Sequence, residues 1–142
     1  MGHRNSEQQV LVVPCSGIGK VHGLISREAV YRVTDILMPG RSSTVCLALL
    51  VSGDPGTRAK VQQQPCITVD GCPKLCARKN VDLSGGKVAL GVRVYDTLKR
   101  HHGAQLGSPT ALSAAGWVAA EEIAAEIAHT AQQLLAAGKQ ES

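Results

Sequence analysis

The stretch PCITVDGCPKLCARKN, residues 65–80, holds the pattern that decides the fold. Its first six residues, Pro65 to Asp70, form a short apolar run that is typical of a buried strand, and Gly71 turns the chain after it. Because Pro73 is tolerated in the first turn of a helix, we expect a short helix that carries Cys76 to follow. The segment therefore predicts one strand–turn–helix unit.

Similar units lie on both sides of this stretch. Apolar and β-branched runs predict further strands, helical spacing of apolar residues predicts helices, and clusters of Gly, Pro and Ser predict turns. The expected elements are a strand at Gln9–Cys15, a glycine turn at SGIGK (residues 16–20), a helix through Val33, a turn at Met38–Arg41, a second apolar run at Ser42–Val51 that is a strand at its start, a short helix from Pro55 to about Gln63, a turn at Ser84–Gly86 and a fourth strand at Lys87–Tyr95.

The C-terminal part carries a long amphipathic helix, expected over about residues 109–138. Either Ser108 caps this helix with Pro109 as its first residue, or Ser113 caps it after a break. Gly138 is a natural stop. The predicted buried face consists of Trp117, Ala120, Ile123, Ala124, Ile127, Ala131, Leu134 and Leu135.

Short strands that alternate with helices are typical of an α/β fold with a mostly parallel sheet. The sequence therefore predicts a single domain over residues 1–142, of two or three layers, Rossmann-like or flavodoxin-like, with a long C-terminal helix. The core that bears the motifs is expected at about residues 10–95. In such sheets ligands gather beyond the carboxyl ends of the strands, so residues there are the first candidates for a site.

The composition is that of a globular protein and argues against several classes of partner. With 44% hydrophobic residues and no Phe, the core must be built from Val, Leu, Ile and Ala. The net charge of +4 comes without aromatic residues beside the basic groups, which argues against nucleic acid. No signal-peptide core is visible, and the longest apolar run, Val45–Val51, is about a third of a membrane span. We therefore expect a cytoplasmic protein with no membrane partner, where five cysteines favour metal or thiol chemistry over disulfides.

Four of the five cysteines are expected near the carboxyl edge of the sheet. Cys15 ends the first strand, Cys72 follows the third strand by two residues, and Cys76 comes one helical turn later, on the same helix face. Cys46 joins them if it lies near the end of its strand. Cys66 begins the third strand, roughly 13 Å from that edge by strand rise, and therefore stands apart.

These cysteines allow three interpretations. Four thiolates suit a structural zinc ion, with iron or an iron–sulfur cluster as the alternative metal. A redox pair is supported by the position of Cys72 at a predicted helix N-terminus in a basic segment, although the spacing between Cys72 and Cys76 is poor for a disulfide on a regular helix. Free cysteines are also common in protein cores. Asp54 and Asp70, near predicted strand ends, are expected to accept hydrogen bonds from turn amides, and the alternative is a supporting hydrogen bond behind the metal ligands.

The motifs PCSG, CLA and DGCPxxCA, in that order, resemble the DGC-domain family, small bacterial and archaeal proteins described as zinc-binding. The resemblance runs from about Val10 to Val94, and the block VDGCPKLCARK, residues 69–79, is its specific part. The sequence departs from the family after its second cysteine, where LALLVSGDPG stands in place of a glycine-rich stretch. The four cysteines shared by the family fall on Cys15, Cys46, Cys72 and Cys76.

The resemblance favours a zinc-binding protein in a metal-holding, delivery or sensing role, with those four cysteines as metal ligands and iron as the alternative. Four thiolates fill the coordination sphere, so such a site is closed and an enzymatic role is the less favoured reading. Gly71 is expected to let Cys72 face the site, and backbone amides with Lys74 and Arg78 to temper its negative charge. A metal ion and an unidentified protein are the expected partners. The alternative function is a thiol oxidoreductase or sulfur transferase that uses Cys72 with Cys76 or Cys15.

Overall fold

The computed structural model describes residues 9–15, 21–71, 74–101 and 103–141, with side chains as far as residue 137. These ranges hold four strands, β1 (Val10–Pro14), β2 (Ser42–Thr44), β3 (Cys66–Asp70) and β4 (Val88–Arg93). They also hold six α-helices, α1 (Val21–Arg32), α2 (Leu47–Ser52), α3 (Pro55–Gln63), α4 (Cys76–Leu83), α5 (Val94–Leu98) and α6 (Ala114–Glu141). A π-helical turn (Val33–Leu37) extends α1, and a 3-10 turn (Lys99–His101) follows α5. Within the part of the chain so described, no helix has both the length and the apolar character needed to span a membrane.

The four strands form one sheet in the order β2-β1-β3-β4, and every pair of neighbours is parallel. The order is the flavodoxin-like one, in which the chain moves from β1 outward to β2 and then crosses back to β3. Leu11 pairs with Cys66, and Pro14 pairs with Val69, so β1 and β3 end together at the carboxyl edge. The predicted α/β class and parallel sheet are confirmed.

Helices cover both faces of the sheet, because alternate side chains of each strand enter different cores. On one face, Val10 and Val12 pack with α1, α5 and α6. On the other face, Leu11, Val13 and Cys15 pack with α2, α3 and α4. The fold is therefore a three-layer arrangement, and both cores are made of aliphatic side chains as the composition required.

One expected strand differs from the structure at its end. The run Ser42–Val51 is a strand at its start, as expected, from Ser42 to Thr44, and α2 begins at Leu47. The fourth strand, however, ends at Arg93, where α5 begins, and does not reach Tyr95. Its apolar residues are compatible with either period, and packing against the sheet decides the outcome. The predicted turn at residues 16–20 lies outside the described residues.

The C-terminal helix begins at Ala114, so the second of the two expected starts is correct. The Ser113 hydroxyl accepts a hydrogen bond from the Gly116 amide at 3.2 Å, as a helix cap does. Trp117 does not belong to the buried face, as the pattern had suggested, but is 42% exposed. The rest of the predicted face is buried or half-buried, namely Ala120, Ile123, Ala124, Ile127, Ala131, Leu134 and Leu135.

Alanine substitutions on α6 should lower stability at buried positions and leave it nearly unchanged at exposed positions. Ile127 is fully buried, so Ile127→Ala should lower the free energy of unfolding by about 3 kcal/mol through lost burial and an unfilled cavity. Val118 lies on the same helix but is 49% exposed, and Val118→Ala should change it by less than about 0.5 kcal/mol. Urea denaturation followed by circular dichroism measures both. Equal losses in the two variants would contradict the packing of α6 described above.

Candidate functional site

The carboxyl ends of β1 and β3 define the place where the fold opens. The chain leaves β1 toward α1, on one face of the sheet, and leaves β3 toward α4, on the other face. The connections therefore diverge, and the gap between them is where open α/β sheets usually bind ligands. Cys15 directly follows β1, and Gly71 directly follows β3, so both border this gap.

Gly71 and Cys15 are in direct contact. The Gly71 N–H donates a hydrogen bond to Cys15 Sγ at 3.2 Å, and this sulfur is also 3.8 Å from the Ser26 hydroxyl of α1. A side chain at residue 71 would be crowded, because a Cβ there would lie 3.0 Å from the carbonyl carbon of His22. The glycine therefore allows the chain after β3 to approach both the Cys15 sulfur and the first turn of α1.

Asp70 connects β3 to α4. Its carboxylate accepts hydrogen bonds from the Ala77 amide at 2.8 Å and from the Arg78 amide at 3.2 Å. These N–H groups have no partner within the first turn of the helix, and the carboxylate also opposes the positive end of the helix dipole. Asp70 is 2% exposed and holds the start of α4 against the end of the strand. The expectation that Asp70 and Asp54 bond nearby amides is confirmed, since Asp54 accepts from the Thr57 amide at 2.9 Å.

Cys46 and Cys76 stand at the starts of two helices on the same face of the sheet. Cys46 is the residue before α2, and Cys76 is the first residue of α4. Both are exposed, whereas Cys15 is buried, and all three are free thiols. Because both helices follow strands, their N-terminal ends lie at the carboxyl edge, and the expected position of these three cysteines at one edge is reproduced.

The helix that follows β3 begins at Cys76. Lys74 lies in a turn, and Leu75 has a left-handed conformation with φ 55°, so α4 does not extend back through Leu75. Cys72 and Pro73 lie outside the described residues, so the expectation that Cys72 and Cys76 share a helix face stays a prediction.

The metal set expected from the sequence stays a prediction. Among the residues that the structure describes, no three or more His, Cys, Asp or Glu side chains are grouped so that they can hold a metal ion. The donors at the carboxyl edge are nevertheless soft sulfur atoms of the kind that zinc prefers, and Cys72 would be the fourth. A metal ion at this edge would require Cys46 and Cys76 to approach Cys15 around Cys72.

Cys66 stands apart, as expected. It is the first residue of β3, fully buried, and its Sγ lies 3.5 Å from the Val61 carbonyl oxygen and 3.4 Å from the Gln64 carbonyl oxygen. Burial raises the pKa of the Cys66 thiol to about 11. This cysteine is a protonated core residue at the opposite end of the strand from Gly71.

A cavity of about 530 Å³ opens beside Cys15 and Cys46. It lies between α1, which contributes Arg27 and Tyr31, and the connection from β2 to α2. Nothing in the sequence singled out Arg27 or Tyr31. Their spacing of four residues places them on one face of a helix, but only the strand order shows that this face meets the β2–α2 connection.

The histidines and cations near the edge have ordinary surroundings where they are described. His22 is half-buried in the first turn of α1, and its carbonyl oxygen accepts the Ser26 hydroxyl at 2.9 Å. His101 Nε2 lies 3.1 Å from Glu122 Oε1 on α6, far along the chain from the cysteines. Lys74 and Arg78 are exposed at the start of α4, where their charges face solvent beside the edge.

The strand order, the contact between Gly71 and Cys15 and the capping by Asp70 define an α/β protein with a cysteine-bearing carboxyl edge built around an Asp-Gly-Cys motif. The family model of the DGC domain matches residues 11–116, which is most of the chain. The chain therefore belongs to the DGC-domain family, as the sequence motifs indicated. No curated protein and no solved structure shows significant similarity to it.

Asp54 and Asp70 form a matched pair of helix caps whose pKa shifts have opposite signs. Hydrogen bonds from the Thr57 amide and hydroxyl lower the pKa of Asp54. Burial raises the pKa of Asp70 and outweighs the lowering effect of the Ala77 and Arg78 amides. A carboxyl group whose pKa is lowered on folding, such as Asp54, stabilises the fold at pH values above the pKa of the unfolded chain, and this stabilisation is lost as the pH falls. A carboxyl group whose pKa is raised on folding, such as Asp70, has the reverse effect: its stabilisation is full at low pH and is lost as the pH rises through the pKa of the folded state.

We therefore expect opposite trends for two Asn variants. Asp54→Asn should lose more stability relative to the unsubstituted protein at about pH 7 than at about pH 4, and Asp70→Asn should lose more at about pH 4 than at about pH 7. Urea denaturation at both pH values measures the differences. Parallel trends for the two variants would contradict the assigned direction for Asp70.

Cys66 makes a separate prediction at alkaline pH. Because burial raises its pKa from 9.0 to about 11, the folded chain holds a proton that the unfolded chain releases. Its contribution to stability is full below about pH 9 and is lost as the pH rises toward about 11, by on the order of 2 kcal/mol. Relative to Cys66→Ala, the unsubstituted protein should lose stability over this range in urea denaturation with reductant present. A constant difference would show that the thiol is accessible to water.

Proposed function

We propose that this protein binds one zinc ion through Cys15, Cys46, Cys72 and Cys76 and serves in a metal-holding, delivery or sensing role. The observation that carries the proposal is the hydrogen bond of 3.2 Å from the Gly71 amide to Cys15 Sγ. Gly71 immediately precedes Cys72, so this bond ties the backbone next to Cys72 to the Cys15 sulfur. The residue that precedes one proposed ligand is therefore in contact with another proposed ligand, and this contact supports the proposal.

The other two ligands are available to a metal ion from the same side. Cys46 and Cys76 are exposed residues at the starts of α2 and α4, which pack on the same face of the sheet as Cys15. Exposed thiols at the ends of short helices adjust their positions at a small cost in buried contacts. The site that we propose thus has one buried ligand, Cys15, on the rigid sheet and ligands that close on it from the helix starts.

The surroundings are suited to the negative charge of four thiolates. The Gly71 amide donates a hydrogen bond to Cys15 Sγ, so one N–H donor is directed at a proposed ligand atom. The exposed side chains of Lys74 and Arg78 stand beside Cys76 and reduce the net charge there. A site with four thiolates has no open coordination position, so this proposal does not include hydrolysis.

Replacement of single cysteines should divide the five into two groups. Protein purified without an affinity tag under anaerobic conditions should carry about one zinc per chain, measured by elemental analysis. Cys15→Ser, Cys46→Ser, Cys72→Ser and Cys76→Ser each replace a soft thiolate by a hydroxyl that stays protonated, so each should lose the metal to a mild chelator. Cys66→Ser is the matched control and should keep it.

Circular dichroism of each variant separates lost ligands from lost folding. A folded, metal-free preparation that also takes up no added zinc would overturn the proposal. Metal loss from Cys66→Ser together with retention in Cys46→Ser would mean that the fourth ligand is wrongly assigned. Visible absorbance from sulfur-to-iron charge transfer would identify iron as the metal, with the same ligands.

A thiol redox or sulfur-transfer function is the second candidate, and the same contact favours one version of it. Gly71, the residue before Cys72, contacts Cys15 Sγ, and this contact supports Cys15 as the partner of Cys72. In this case a mild oxidant such as diamide would take two electrons and two protons from the Cys15 and Cys72 thiols to form a disulfide. Peptide mapping that finds this disulfide in protein that released no metal would favour the second function over the first.

A further inference from the structure

We propose that the cavity between α1 and the β2–α2 connection binds a small organic acid, with the carboxylate on Arg27 and an apolar body against the α2 side. The cavity has a volume of about 530 Å³, which is in the range of pockets that hold small molecules. Two residues of the lining, Cys15 and Cys46, are also proposed zinc ligands, but the group that this inference assigns to the organic acid is the Arg27 guanidinium and not a thiol.

The position of the cavity is one that α/β sheets use for ligands. Its floor is formed by Pro14 and Cys15, where β1 ends, and one wall is formed by Thr44 and Val45, where β2 ends. The cavity therefore lies outside the carboxyl ends of two neighbouring strands. The strands β1 and β2, whose ends border the cavity, are paired with each other in the sheet.

The charge of the lining residues favours a ligand with a negative charge. Among the described residues that line the cavity, Arg27 is the only one with a full charge at neutral pH, and none carries a carboxylate. A guanidinium presents five N–H donors in a planar fork, so it pairs with a carboxylate while it keeps a protein partner. Tyr31, one turn further along α1, adds a hydroxyl and an aromatic ring on the same side.

The opposite wall selects an apolar body. Val45, Leu47 and Ala48 line this side, and together with Pro14 they give the cavity a mainly aliphatic surface. Thr44 is the polar exception, and its hydroxyl is buried without a hydrogen-bond partner among the described residues. A hydrated inorganic anion gains little from such walls, whereas a molecule with a hydrocarbon part gains by burying it. An organic acid fits both halves of the lining.

The test compares an acid with its uncharged analogue. Titration of 4-phenylbutyrate and of 4-phenylbutyramide, followed by two-dimensional amide NMR on the purified protein, measures both dissociation constants. The acid should bind at least about tenfold more tightly than the amide, because only the acid forms a charge-assisted pair with Arg27. Amide signals of Tyr31, Thr44 and Ala48 should shift, and inorganic phosphate at the same concentration should shift them far less.

Variants assign the effect to the cavity. Arg27→Gln should remove the preference for the acid and leave the amide unchanged, and Arg27→Lys should restore part of it. Arg58 is exposed on α3 and does not line the cavity, so Arg58→Gln is the control for net charge and should behave like the unsubstituted protein. Ala48→Phe, at an exposed position on the cavity wall, should weaken both ligands.

Each result decides for or against the proposal. Equal binding of acid and amide to the unsubstituted protein, or no binding of either at millimolar concentration, would overturn it. An unchanged preference in a folded Arg27→Gln variant would do the same. If that variant does not fold, the acid–amide comparison and Ala48→Phe still decide. Metal content is measured on the same samples, so failure of the zinc proposal is recognised separately.

Discussion

The close approach of Gly71 to the first turn of α1 is the constraint on which the carboxyl edge depends. A Cβ atom at residue 71 would lie 3.0 Å from the backbone of His22, so a side chain there would require the two segments to move apart by a few tenths of an ångström. The bond from the Gly71 amide to Cys15 Sγ forms only at this distance. A single residue without a side chain therefore contacts both the Cys15 sulfur and the first turn of α1.

The Asp-Gly pair serves the two sides of the sheet at once. Asp70 points to the face that carries α4 and supplies the hydrogen-bond acceptors that its first turn lacks. Gly71 turns to the other side and meets α1. Because consecutive residues of a strand point to opposite faces, the two adjacent residues connect both helical layers to the same strand end. This explains in physical terms why an acidic residue and a glycine stand together before the cysteine of the motif.

The sequence was sufficient for the class of fold and for the isolation of Cys66, because both follow from the order of strands and helices. It was not sufficient where two periods fit the same residues, so the fourth strand was expected to reach Tyr95 although a helix, α5, begins at Val94. Trp117 was assigned to a buried face because a helical stripe is broad, whereas packing against α1 fixes which part of the stripe is covered. The left-handed Leu75 has no sequence signal, since this conformation is typical of glycine and asparagine.

In the candidate site, too, some residues were predicted from the sequence and others were missed. Cys15, Cys46 and Cys76 were placed at the correct edge, while Arg27 and Tyr31 were missed because their role depends on which strand neighbours which. Cys72 lies outside the described residues, so the set of four cysteines rests on the motif and on the contact made by Gly71. Chemistry-bearing residue types were visible in the sequence, but the distances between them were not.

The two edges of the sheet differ in length, and this affects how partly folded chains meet one another. β2 forms one edge with only three residues, so it offers few unpaired backbone groups to another strand. β4 forms the other edge with six residues. Strand addition between copies of the chain, at high concentration or after a destabilising substitution, is therefore favoured at β4. The short edge strand β2 therefore discourages pairing between chains more than β4 does, and a charged substitution on β4 is the change expected to reduce aggregation most.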